Sequence, residues 1–160
     1  MRIVGIDPGL KATGYGFIDV INKKPMLIET GTIEPKPKEG IQYKVERIHA
    51  ILGKLLKQYK PDVLVLEKLY AHHQHPTTAS ILGHARGVIC LLAAQNGIEL
   101  FEYSVKRIRK TLTGNGNASK HQTQRSVAQI LNIKLEKFSL DASDACALAL
   151  GYHNIMRRSG

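Results

Sequence analysis

Acids are in short supply in this chain: 13 Asp and Glu stand against 23 Lys and Arg, a formal charge of +10. That balance disfavours small neutral substrates and favours a polyanionic partner. The shortage is also local. No acid occurs between Lys68 and Ile98 or between Tyr103 and Leu135, and Lys106, Arg107, Arg109, Lys110, Lys120, Arg125 and Lys134 accumulate in the second window. Two acid-free stretches of this kind make a phosphate-facing surface. Cysteine is scarce as well. Cys90 and Cys146 form no CxxC or other metal spacing and sit in apolar, helical-looking stretches. They read as core thiols of a protein from a reducing compartment, the cytoplasm, which excludes a disulfide scaffold. Long apolar runs are missing too: the longest after the N-terminus, residues 88–94, is too short to span a bilayer, and the opening MRIVGIDPG is no export signal. A soluble protein with no membrane partner is expected. There are no internal repeats, and 160 residues with 43% hydrophobic content match one globular domain with a real core, residues 157–160 forming a frayed tail.

What is present reads as an α/β pattern. Residues 1–7, 13–19 and 26–33 are β-rich runs separated by Gly, Pro, Asn and Lys turns, the signature of three strands joined by hairpins. Val45, Ile48, Ile51, Leu52 and Leu55 make a helical stripe within 43–59. After Pro61, residues 63–66 form a continuous apolar run ending on Glu67, as a strand buried on both faces does. A helix over 77–95, a strand over 98–103, a helix over 105–112 capped by Ser104, and helices over 120–131 and 142–156 complete the pattern. The segment TGNGNAS, residues 113–119, reads as a flexible functional loop. Three antiparallel strands followed by helix-connected strands predict a mixed five-stranded sheet flanked by helices.

Four acids stand out. Asp7 and Glu67 end apolar strands, where an uncompensated ionised side chain is costly, and acids at the ends of neighbouring strands can meet. Asp141 and Asp144 are three apart at the start of a helix and face one side of its first turn. Singly, each has an ordinary explanation: Asp-Pro-Gly starts turns, Glu67 can be a solvated strand end, and Asp141 as N-cap with Asp144 beside it suits a positive helix end. Together they are the oxygen ligands that Mg²⁺ and Mn²⁺ prefer. Two such ions activate a water and stabilise a leaving oxygen, which in a basic protein points to phosphodiester hydrolysis.

The motifs Gly5-Ile-Asp-Pro-Gly9, Thr13-Gly-Tyr-Gly16, a strand ending in Glu67, Leu82-Gly-His-Ala-Arg-Gly87 and Asp141-Ala-Ser-Asp-Ala145 then appear in this order and spacing. In that order they resemble the bacterial RuvC crossover junction endodeoxyribonucleases over nearly the whole chain. The resemblance implies a ribonuclease H-like fold, a homodimer, and symmetric paired nicks in a four-way (Holliday) junction. It further implies Mg²⁺, with Mn²⁺ able to substitute, two ions per site, and the branch-migration proteins RuvA and RuvB as partners. Its four acidic positions match Asp7, Glu67, Asp141 and Asp144 as catalytic metal ligands. Some relatives carry histidine where Asp141 stands.

Tyr70 matches an aromatic position that approaches the junction bases in this family, and Arg109 and Lys120 fall where it carries basic residues near the scissile phosphate, with Lys120 assigned to catalysis as well. His72, His73, Arg86 and Lys110 complete the expected DNA-binding set. His72, His73 and His75 form an HHxH cluster, but zinc needs a fourth ligand in good geometry, and phosphate or base contact suits this loop better. Gly83 and Gly87 cost helix propensity, so the helix over 77–95 is the candidate dimer face. Other ribonuclease H-like nucleases and non-catalytic junction binders are the competing classes. An ATPase of this fold needs further phosphate loops and a larger second subdomain than the chain has.

Overall fold

A computed structural model of the chain describes residues 1–9, 11–69 and 76–159. Tyr70, His72, His73 and His75 lie outside the described residues. The elements are β1 (Arg2–Asp7), β2 (Thr13–Ile21), β3 (Lys24–Ile33), α1 (Ile41–Tyr59), β4 (Val63–Glu67), α2 (Pro76–Gln95), β5 (Glu99–Tyr103), α3 (Val105–Thr113), α4 (Lys120–Leu131) and α5 (Leu140–Ser159), with one 3₁₀ turn at Leu135–Lys137. They build a five-stranded sheet in the order β3-β2-β1-β4-β5. β1, β2 and β3 are antiparallel neighbours, while β1, β4 and β5 run parallel. Asn22 and Lys23, both left-handed, turn β2 into β3 in two residues, the tight turn whose twist matches the strands.

Alternation along the strands sends side chains into two cores. Ile3, Ile18, Val63 and Val65 pack with Ile108 of α3, Val127 of α4 and Leu150 of α5. On the opposite face Val4, Ile6, Phe17, Leu64 and Leu66 pack with Leu52 and Leu56 of α1 and Ile89 of α2. The central strands are therefore covered on both sides, which is why their sequences are continuously apolar.

Glycine sets how closely α5 rests on the sheet. A Cβ on Gly5 would lie 1.9 Å from the Ala145 carbonyl oxygen, one on Gly14 2.1 Å from that of Asp141, and one on Gly16 2.4 Å from Cys146 Sγ. The missing side chains let the first turns of α5 press on β1 and β2 directly.

Several local readings change. Ser139 caps α5: its hydroxyl accepts from the Ala142 amide at 3.2 Å, so Asp141 is no N-cap and its carboxylate is left for other partners. α5 runs through Arg157 and Arg158 to Ser159, and these cations suit the negative end of a helix. Cys146 is buried in the core, its thiol pushed up to about 12 by burial, but Cys90 is exposed on the outer side of α2 and is not a core thiol. The TGNGNAS segment is bonded to itself: Thr113 Oγ1 bonds the Asn115 carbonyl, Asn115 Oδ1 accepts from the Asn117 amide, and Ser119 with Gln122 forms a capping box for α4.

Candidate active site

β1 and β4 are adjacent and parallel, with Ile6 opposite Leu66, so Asp7 and Glu67 emerge side by side at the same end of the sheet. Gly14 stands opposite Asp7 on β2, and it is over Gly14 that the Asp141 backbone passes. The first turn of α5 therefore reaches the strand ends and brings Asp141 and Asp144 to them. All four carboxylates line one cavity of about 300 Å³, together with Lys120 at the start of α4 and Arg109 on α3. Val105, Ile108, Ala147 and Leu148 contribute apolar lining.

The electrostatics are those of an acidic cluster with too little positive charge. Burial, then the neighbouring Asp144 and Glu67, push the Asp7 carboxyl up to about 7 against a partial offset from Lys120. Glu67 is raised for the same reasons, burial first and Asp144 second, with Lys120, Arg109 and Arg86 pulling the other way. Lys120 Nζ donates to Asp144 Oδ2 at 3.0 Å, and this contact holds the ammonium above its ordinary value. Among the described residues no three of these side chains already converge as a ready metal cage. They stand along the cavity walls. The donor set is all carboxylate oxygen, the chemistry hard divalent cations select, and the charge left unbalanced at Asp7 is of the sign such ions neutralise.

The other expected residues divide into three groups. Arg109 and Lys120 sit on the cavity wall. Lys110 is exposed on α3 outside it, beside Lys106 and Arg107, the last stacked over the Tyr103 ring at 5.0 Å. Arg86 points inward, bonded to the Glu67 carbonyl and to Glu102 rather than reaching for solvent. Sequence reasoning missed Ser139, which caps the helix that carries Asp141 and Asp144, and it placed Arg86 in the DNA-binding set without its bonds to Glu67 and Glu102. The Ser-Leu-Asp spacing before α5 carried the signal for Ser139. It also missed why Gly14 and Gly16 alternate: both lie on the strand face that receives α5.

The family model for crossover junction endodeoxyribonuclease RuvC matches residues 3–152. A protein of that description from Rhodopirellula baltica is 38% identical over 151 residues, covering 94% of this chain and 85% of the relative. Another from Pseudothermotoga lettingae is 35% identical, covering 99% of both. Among solved structures, Thermus thermophilus RuvC superposes with a TM-score of 0.88 at 27% identity over 99% of this chain and 96% of that one, and the same protein has been solved in complex with a Holliday junction substrate. The yeast mitochondrial Holliday junction resolvase shares the fold, with a TM-score of 0.72 at 16% identity over 98% of this chain and 79% of the other.

Proposed function

The chain belongs to the RuvC family of crossover junction endodeoxyribonucleases, and from that premise we propose that it resolves four-way DNA junctions by paired, metal-dependent hydrolysis of phosphodiesters at the cavity lined by Asp7, Glu67, Asp141 and Asp144. The observation that carries this reading is the convergence of four acids from β1, β4 and α5 on one cavity of a chain with ten excess positive charges. Two Mg²⁺ ions held by these carboxylates, with Mn²⁺ able to replace them, supply water activation and stabilisation of the leaving oxygen. Lys120 has the reach and charge to meet a phosphate oxygen beside Asp144, and Arg109, which also lines the cavity, is assigned to orienting the backbone. Lys106, Arg107 and Lys110 extend the positive surface along α3, and Tyr70 is assigned to stacking on a junction base, worth about 1–3 kcal/mol.

A four-way junction presents two equivalent strands, and paired nicks are most simply delivered by two identical sites related by a twofold axis. α2 supports that arrangement. By length and composition it is apolar enough to cross a membrane, with a mean hydropathy of 1.3, yet only its inner side is buried in the chain. Added Cβ atoms on Gly83 and Gly87 would meet nothing, so packing within the chain does not require these glycines. They line an apolar groove with Ile41, Val45, Val88 and Leu91, and a second copy is the occupant that fits a homodimer. RuvA and RuvB are the partners, and the cytoplasm, where bacterial DNA lies, is the location.

The test is cleavage of a four-way junction in Mg²⁺, with a linear duplex as control, by Glu67→Gln and Asp144→Asn. Both variants are expected to bind the junction and fail to cut it. Cutting by Glu67→Gln at the parental rate removes that residue from the site.

A further inference from the structure

The guanidinium of Arg86 is oriented by contacts that a phosphate-binding residue has no use for. From α2 it donates Nη1 to the main-chain carbonyl of Glu67 at 2.5 Å and Nη2 to a carboxylate oxygen of Glu102. Its side chain is only 14% exposed, while the Glu102 side chain that it meets is 40% exposed. Glu102 lies on β5 opposite Leu66, one residue before Glu67, and the Lys68 amide donates to Tyr103 at 2.8 Å just beyond it. Arg86 and Glu67, with Pro8, Leu69 and Leu82, also share the walls of a smaller cavity of about 110 Å³ that reaches Asp7.

A planar fork with both arms satisfied fixes two acceptors relative to one another, which a point charge does not. Here one acceptor is the peptide carbonyl of the acid itself, and gripping it sets the direction of the Glu67 Cα–Cβ bond at the last residue of β4. We infer that Arg86, anchored by Glu102, is a positioning residue that aims the Glu67 carboxylate at the metal-holding cavity, not a DNA contact. The inference rests on the proposed role of Glu67 as a metal ligand. It assigns to the Ala-Arg-Gly segment of α2 a task in the site of its own chain.

The experiment is Mn²⁺ binding to the full-length protein without DNA, followed by electron paramagnetic resonance, for the parent and for Glu67→Gln, Arg86→Gln, Arg86→Lys and Glu102→Gln. Junction affinity is measured in parallel in EDTA over a range of salt. Removing a group that orients a metal ligand costs about 10- to 100-fold in affinity. Arg86→Gln is expected to weaken Mn²⁺ binding by at least tenfold, Arg86→Lys to recover part of it through one donor, and Glu102→Gln to weaken it less. None should lower junction affinity or flatten its salt dependence. Parental Mn²⁺ binding by Arg86→Gln, with Glu67→Gln weakened, overturns the positioning role and leaves the site assignment standing. A salt slope flattened by about one, at unchanged Mn²⁺ binding, makes Arg86 a phosphate contact and overturns it too. Parental Mn²⁺ binding by Glu67→Gln instead refutes the site on which the inference rests. Should Arg86→Gln fail to fold, Glu102→Gln decides: a freed DNA-contacting Arg86 would bind junctions more tightly with Mn²⁺ binding unchanged, whereas a loosened positioning residue weakens Mn²⁺ binding.

Discussion

Replacing Asp7 by asparagine removes a charge that the metal-free fold holds at a cost and keeps the shape of the side chain. Burial, with Asp144 and Glu67 adding repulsion, moves its carboxyl from 3.8 to about 7. Each pH unit of displacement corresponds to about 1.4 kcal/mol, so above about pH 7 the ionised Asp7 destabilises the metal-free protein by at most roughly 4 kcal/mol. The sign follows from proton counting. Between pH 3.8 and about 7 the folded chain keeps a proton that the unfolded chain has released, so this contribution falls as pH rises through that window and is constant above it. The assay is urea unfolding of parent and Asp7→Asn in EDTA across the window, then with Mg²⁺ at its alkaline end. Asp7→Asn is expected to be the more stable protein near pH 8 by about 2–4 kcal/mol, with the difference shrinking toward pH 4. Mg²⁺ should stabilise the parent far more than the variant, because ligand binding to the folded state alone raises stability. The variant should not cut junctions. A variant no more stable than its parent in EDTA at the alkaline end, or a difference that does not change with pH, refutes the picture of Asp7 as a strained, uncompensated ligand.

Lys120→Ala and Arg109→Ala should each flatten the slope of log K against log salt for junction binding by about one if each meets one phosphate. Tyr70→Ala should leave the slope alone and reduce cleavage more on closed than on pre-opened junctions; equal slopes for Tyr70→Ala and Lys120→Ala would break that division of labour. Leu91, half exposed in the groove on α2, is the place to test self-association. Leu91→Asp should convert a dimer into a folded monomer by light scattering and lose paired cutting, and a parent already monomeric where it resolves junctions excludes the twofold model.

Local physics made most of the elements legible. The apolar run before Glu67, the helical stripe of α1, the Ser104 cap and the hairpin turns act within a few residues, and the strand bounds differ from expectation by at most two residues. The four acids were legible as residue types that an apolar strand end or helix start does not carry idly, and the ordered motifs identified the family. The TGNGNAS segment links α3 to α4 as its Gly and Asn content predicts, but which of its Asn and Thr side chains satisfy the loop's own backbone was not legible in composition. Only the tertiary structure decided that Asp7 and Glu67 lie side by side, since the parallel pairing of β1 with β4 joins segments about 60 residues apart. It decided as well that α5 can reach them, through glycines whose purpose is a contact with a helix more than 120 positions away. Arg86 shows the difference most sharply. In the sequence it is one more cation in an acid-free window, and its orientation exists only once α2 lies over β4 and β5, because a guanidinium's role is set by the acceptors that the fold brings to it.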